Sequence, residues 1–487
     1  MILPIIPPTA TSWWRMPLRD FLKKSIQSNR NSLNALIEMF SIFFIGFYLL
    51  VIFLLVKRSP LLVSMVFLFL FTSLWRFTGS VYMDFGGPIE SWELSRAIGG
   101  HHGWFSTVCL FSYLLVLIPL LVVFSRKRID LLNQWQQRSS ANVTHINGIR
   151  IETFIACIMG SILLLLYIEL FMIGDIPFFS GTERWLYSRE KAGLISKFLG
   201  VYLTGPLCWL TGYAWYLAII KKRKKLAGII LFLLFACIVY FLLLGNKFST
   251  PLYAAASFLL SAGTIFLTKT EKKLIQKRIV QIIVLGLVLF GMLFGTMYKV
   301  YFIDRGYKLK YFYAFFEQRA LIAPSQLVWS AYERIFSQSD YRPLETIDLA
   351  IIHPLPLDSN PAVNYLMYRE LGPSVFNMKT GFTDAYPGIV FELFGPYLAF
   401  PAIFLLGFAF ASSLYRLAKY TVQQKVMPAT LYFFLVQAFT MFFAQGQLLF
   451  LTSLRFYIKI AAVYLIMQFI RRRLIIASAK PALMVHA

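Results

Sequence analysis

Runs of about 20 predominantly apolar residues recur along the whole of this 487-residue chain, and a run of that length crosses the hydrocarbon core of a bilayer as a helix. In lipid the backbone has no water to bond, so every N–H and C=O must be satisfied within the chain. A bundle of helices meets that requirement. Eleven spans are read at 35–56, 59–79, 104–125, 151–173, 198–220, 226–244, 250–268, 279–300, 389–415, 427–445 and 448–470. The expected fold class is therefore all-α, a polytopic transmembrane helix bundle forming a single integral membrane domain over 1–487. One long loop, 301–388, is expected to fold as short helices on one membrane face. Composition agrees, with 58% hydrophobic residues and a mean hydropathy of +0.67.

Charge then sets the orientation. The net charge is +25, which by itself would suit nucleic acid. The basic residues, however, sit just beyond apolar segments: RKR at 126, KKRKK at 221, KTEKKLIQKR at 269 and RRR at 471. The connections at 57–58, 126–150, 221–225, 269–278, 416–425 and 471–480 hold 24 Lys and Arg, and the much longer loops on the other side hold 14. Positive charge accumulates on the cytoplasmic side, where anionic lipid is the counter-charge. Loop 301–388 carries 8 basic and 9 acidic residues, so the excess does not come from it. The partners expected are membrane lipids and not nucleic acid. With eleven spans the first 33 residues fall outside despite Arg15, Arg19, Lys23, Lys24 and Arg30. An interfacial helix over WWRMPLRDFLKKSI, or a re-entrant first span, would reconcile them. The opening MILPIIPPTA lacks the charged start of a cleaved signal peptide.

Cys109, Cys157, Cys208 and Cys237 all lie in apolar runs without disulfide or metal spacing, and the five histidines form no ligand set, so no metal and no cofactor is expected. An ionisable side chain at membrane depth costs about 2.5–3.5 kcal/mol and needs a reason. Arg76, Glu169, Glu392, Arg455 and Lys459 are such residues, most of them toward the outer ends of their spans. Snorkelling or a structural ion pair is one explanation, and a common external cavity the other.

Three outer segments carry candidate chemistry. GDIPFFSGTERWLYSRE, 174–190, displays Arg184 and Arg189 among aromatic rings. GNKFST, 245–250, places Lys247 in a tight turn at the start of a helix, where backbone N–H groups favour an anion. Arg305, Arg319 and Arg334 lie in the long loop. Guanidinium forks match phosphate oxygens, and aromatic rings stack on sugar faces. A proton acceptor is sought among His353, Asp358 and Asp384, with His353 and Asp384 weighed equally. Tyr386 in TGFTDAYPGIVFELFG, 380–395, stands beside Asp384, where a cavity mouth is expected.

These segments together resemble the bacterial oligosaccharide repeat-unit polymerases, the O-antigen and exopolysaccharide polymerases. GDIPFFSGTERWLYSRE looks like that family's outer-loop Ile-Pro segment followed by arginine. GNKFSTPLYAAASFLL looks like its Gly-x-Arg turn, with lysine where the family has arginine, which weakens the grip on phosphate there. YFYAFFEQRALIAP resembles the start of the large loop, and GFTDAYPG through FELFGPYLAF its close. The resemblance covers roughly 150–415. It implies a GT-C-like, metal-independent glycosyltransferase of the bacterial inner membrane. Its substrate would be an oligosaccharide on undecaprenyl pyrophosphate, and a chain-length regulator would be a candidate partner. Arg184, Arg189, Lys247, Arg319 and Arg455 would bind the anion with Tyr386 beside them, and His353 or Asp384 would act as the base. An O-antigen ligase of similar architecture is an alternative. So is a flippase for lipid-linked sugars, although no internal repeat of the kind carriers show is evident.

Overall fold

The structure is a computed structural model. It describes most of residues 46–267 and 298–448, apart from 56–58, 87, 101–102, 139–144, 147–148, 183–185, 247–248, 305–311, 357–359 and 378–383, with isolated positions outside those bounds. Seven helices among the described residues are long and apolar enough to cross a membrane: Trp104–Lys127, Ile151–Ser180, Leu203–Ile220, Lys224–Leu243, Ser249–Leu267, Gly388–Val422 and Val426–Gln445. They coincide with seven of the eleven spans read from the sequence. That at 279–300 falls largely outside the described residues, and those at 35–56 and 448–470 are described only in part. The span read at 59–79 is two helices. Pro60–Met65 opens at Ser59, whose side chain accepts from the Leu62 N–H, with proline at the first position. Phe67–Phe85 follows after a break at Val66.

The elements used below are α1 (Gly46–Leu55), α2 (Pro60–Met65), α3 (Phe67–Phe85), α4 (Trp104–Arg138), α5 (Ile151–Ile173), α6 (Pro177–Ser180), α7 (Leu194–Tyr202), α8 (Cys208–Ile220), α9 (Lys224–Leu243) and α10 (Ser249–Ala262). After them come α11 (Phe312–Phe316), α12 (Gln326–Tyr332), α13 (Pro343–Ile347), α14 (Pro361–Leu371), α15 (Gly388–Val422) and α16 (Val426–Gln445). The all-α reading omitted two small antiparallel ladders. β1 (Ile89–Ser91) pairs with β2 (Arg96–Ile98), and His145–Ile146 pairs with Ile149–Arg150. Strands of two or three residues are too short to show a period of two.

The helices form two groups. Helices α1 to α4, α15 and α16 share the largest core with the short helices of the long loop. Helices α5, α8, α9 and α10 form the second group. The groups meet where Trp209 of α8 stacks on Phe433 of α16 at 5.2 Å. Burial separates inner from outer helices: 67% of the span at Ser249–Leu267 is enclosed, against 33% at Ile151–Ser180. The lipid-facing spans can therefore be apolar all round, while α8 and α10 need small contact residues. Gly212 is one of them. A Cβ there would lie 2.2 Å from the Phe258 carbonyl oxygen and 2.7 Å from Ser261 Oγ. Gly212→Ala is expected to cost about 1–3 kcal/mol through overpacking. Thermal unfolding in detergent checks this against Gly228→Ala, where a Cβ meets nothing within 4 Å.

The two ends of the bundle differ. At the end bearing the basic connections, Glu152 at the start of α5 is fully buried and accepts from Lys221 and Arg223, both at 3.1 Å. Gln423 reaches across to Gln134 at 2.9 Å. At the other end the segment 312–377 is folded into short helical pieces that lie over α3, α4 and α15. The β1–β2 hairpin is stitched into this layer: Gln318 donates to the Glu90 carbonyl at 2.6 Å, and Ser91 bonds Gln326 at 2.6 Å.

Candidate functional site

The floor beneath the loop layer is built at the end of α16. The last carbonyls of a helix lack partners within it and attract a cation. Arg76 of α3 fills that role, donating to the carbonyls of Phe443 (3.3 Å) and Ala444 while its Nε pairs with Asp384. Both side chains are almost wholly enclosed. Gly446 adopts a left-handed φ of 70°, which turns the chain so that the Gln445 carbonyl accepts from Ala385 N (3.3 Å) and Asn360 Nδ2 (2.8 Å). Asp384 also accepts from the Tyr386 N–H at 3.1 Å, which shapes the entry to α15. Tyr386 lies inside the core rather than at an opening. Its ring meets Phe443 at 5.3 Å, and its hydroxyl donates to the Ser112 carbonyl at 3.3 Å.

Above this floor runs a buried ionic network. Glu392, near the start of α15 and fully enclosed, accepts from Arg334 at 2.8 Å and lies 3.8 Å from Arg369. Arg334 also bonds Glu370 at 2.7 Å, Glu370 pairs with Arg96, and Arg96 reaches Glu333 at 2.8 Å. Arg369 pairs with Asp340 at 3.0 Å. Beside the network, Arg319 donates to Glu93 at 2.5 Å and lies 6.0 Å from the Phe315 ring centre. Burial pushes the Glu93 carboxyl above its ordinary range, and Arg319 pulls the other way. Arg319 and Arg334 are thus held by carboxylates and tie the loop layer together.

A second region at the same end is open. Glu169 of α5 caps α7, accepting from the N–H groups of Ile195 (2.9 Å) and Ser196 (2.7 Å). That explains an acid at membrane depth as a cap supplied from a neighbouring helix. The cap fixes the turn 187–191, where Arg189 is exposed and its carbonyl accepts from Lys197 Nζ at 3.4 Å. Neither side chain has a carboxylate partner among the described residues, whereas Lys191 pairs with Asp175. The same outer segment exposes two rings, Phe179 of α6 and Phe198 of α7. Lys299 sits 5.2 Å from the Phe178 ring centre. This joins the corner to the aromatic run in which Phe302 contacts Phe312 at 5.4 Å and Phe315 at 5.6 Å. Exposed cations and exposed rings on one outer segment suit an anion that carries an apolar chain.

The residues singled out from the sequence therefore fall into different settings. Arg189 is in the open corner, Arg319 in the loop layer, and Asp384 and Tyr386 in the enclosed floor. His353 is exposed, with Nδ1 2.8 Å from Asp348 Oδ1. Arg184, Lys247, Arg455, Lys459, Arg305 and Asp358 lie outside the described residues, although the turn read at 245–250 has Gly245 at φ 73° and Thr250 donating to Asn246 at 2.7 Å. Sequence reasoning missed Lys197, Glu93, Arg96, Arg369 and Glu370. Lys197 had a signal, since it is a basic residue on the same outer segment as Arg189. The others look like ordinary loop charges until the fold brings them together.

This geometry defines a polytopic helical membrane protein with a structured ionic layer over one end of its bundle. Residues 358–460, which take in α14 to α16, match a family model described as a family of unknown function (DUF6418). No curated protein and no solved structure matches the chain.

Proposed function

We propose that this protein is a bacterial inner-membrane glycosyltransferase that joins oligosaccharide repeat units carried on undecaprenyl pyrophosphate, at the extracytoplasmic face. The observation that carries the reading is the open corner: Arg189 and Lys197 are exposed, with no carboxylate partner among the described residues, on an outer segment that also exposes the rings of Phe179 and Phe198. A lipid pyrophosphate needs cations and an apolar surface side by side. Transfer breaks the bond between the glycan's anomeric carbon and the pyrophosphate oxygen and forms a bond to the acceptor hydroxyl. Cations are most useful where charge grows on the departing pyrophosphate, and a base removes the acceptor proton. The ionic layer holds the loop over the bundle end while the corner binds the leaving group.

The test is reconstitution with a defined undecaprenyl-pyrophosphate repeat unit, with and without chelator. Laddered products in both conditions are expected. The double change Arg189→Ala, Lys197→Ala should slow ladder formation by about 10²-fold or more, with the protein still eluting as a folded species. A normal ladder from that variant, or unchanged substrate with the native protein, overturns the reading. His353→Ala and Asp384→Asn then separate the two candidates for the base. Use of a lipid A core acceptor in place of a second repeat unit would mark a ligase.

A further inference from the structure

We infer that residues 341–352 form an interfacial foot, whose apolar stripe enters the outer leaflet and fixes the loop layer to the membrane surface. The helix α13 and the π-helical turn that continues it, Asp348–Ile352, have two unlike faces. Thr346 and Ala350, four residues apart, are buried toward the protein. Leu344 (82% exposed), Ile347 and Ile352 (60%) point the other way at helical spacing. No described residue covers them. An apolar stripe left open at the rim of a membrane bundle implies a specific occupant, and position identifies it.

The foot rests on α15 where that helix bends. Gly395 has φ 72°, inside the left-handed region, and a Cβ there would come within 3.0 Å of the Tyr341 ring. Glycine at the bend therefore lets Tyr341 dock. Beyond the bend α15 continues for about 27 residues, or roughly 40 Å, close to the thickness of a bilayer including its headgroups. The bend thus falls at the headgroup level of the loop-bearing end. Its next exposed residues are Tyr397 (85%) and Leu398 (66%), and below them Leu405 and Phe408 are also exposed. The approach of Tyr341 to Gly395 brings the foot to the start of this exposed band. Tyr341 and Tyr397 stand at the boundary, where aromatic residues with a polar tip collect. Arg342, bonded to Asp340 (3.2 Å) and Glu345 (3.1 Å), keeps its charges on the aqueous side. The occupant is therefore outer-leaflet lipid. Asp348, which stands between Ile347 and Ile352, and His353, which follows the stripe, form a pair held at the headgroup plane.

The experiment uses the full chain in vesicles of zwitterionic and anionic phospholipid, with Cys157→Ser removing the exposed thiol. Leu344→Cys is labelled with an environment-sensitive fluorophore, and Gln338→Cys serves as an aqueous control. Doxyl-labelled lipid should reduce the emission at 344 at least twofold, with little effect from iodide, and the control should behave in the opposite way. Ile347→Cys repeats the measurement should the first variant not elute as a folded species. Quenching at the foot by iodide would place it in water. Quenching by neither agent would place a protein partner over it. Either result overturns the inference.

Discussion

Arg76→Ala is expected to lower the stability of the protein by about 3–5 kcal/mol, the usual loss when one partner of a buried ion pair is removed. Two effects add. Asp384 is left enclosed without its guanidinium, and the carbonyls of Phe443 and Ala444 lose their donor at the end of α16. Thermal unfolding of the detergent-solubilised protein measures the change. The double replacement Arg76→Met, Asp384→Leu is the informative companion, because apolar residues of similar volume often replace a buried pair with little or no loss. That variant should regain the share of the loss that comes from the stranded Asp384, while the carbonyls of Phe443 and Ala444 stay without their Arg76 donor. If it also supports polymer formation, the pair acts only in holding α3, α15 and α16 together. A stable but inactive double variant would point to a chemical part for Asp384.

Glu392→Ala is expected to have an effect of the same size, about 3–5 kcal/mol, and to loosen the loop layer selectively. Glu392 is the carboxylate of α15 that faces both Arg334 and Arg369. A buried carboxylate can escape its charge by taking a proton, but a guanidinium has no such route. Arg334 would keep Glu370 and Arg369 would keep Asp340, but both would lose their ionic anchor on α15, which loosens the hold of the loop layer on that helix. Limited proteolysis reads this directly, with cleavage inside 326–377 expected to accelerate well before the bundle melts. Glu392→Gln keeps an acceptor and should show a smaller loss. Equal protease resistance in Glu392→Ala and native protein would mean that apolar contacts alone hold the layer.

The network also bears on how anions could be bound at this end of the protein. Read along the chain, Arg319 and Arg334 look as available as Arg189. Their carboxylates come from distant places: Glu93 is 226 residues from Arg319, and Glu392 is 58 from Arg334. No local pattern announces such pairings. Arg189 differs because α5 and α7 hold its turn at the rim, where the described residues bring no acid to it. Glu169 shows the same limit in reverse. Its depth looked like a site, and the fold uses it to cap the neighbouring α7.

What the sequence determined by itself was the helical membrane bundle, at least over the seven described spans. The reason is that lipid leaves the backbone no partner but itself, so length and apolarity alone dictate a helix. The clustering of basic residues at the 126–138, 221–225 and 416–425 connections was equally legible, since it depends only on position relative to the apolar runs. Tertiary structure decided which charges neutralise one another. It enclosed Asp384 and Tyr386, left Arg189 and Lys197 open, and turned an apolar stripe outward at 344–352. Those outcomes depend on distances between segments remote in the chain, and Coulomb and packing energies act on those distances rather than on order in sequence.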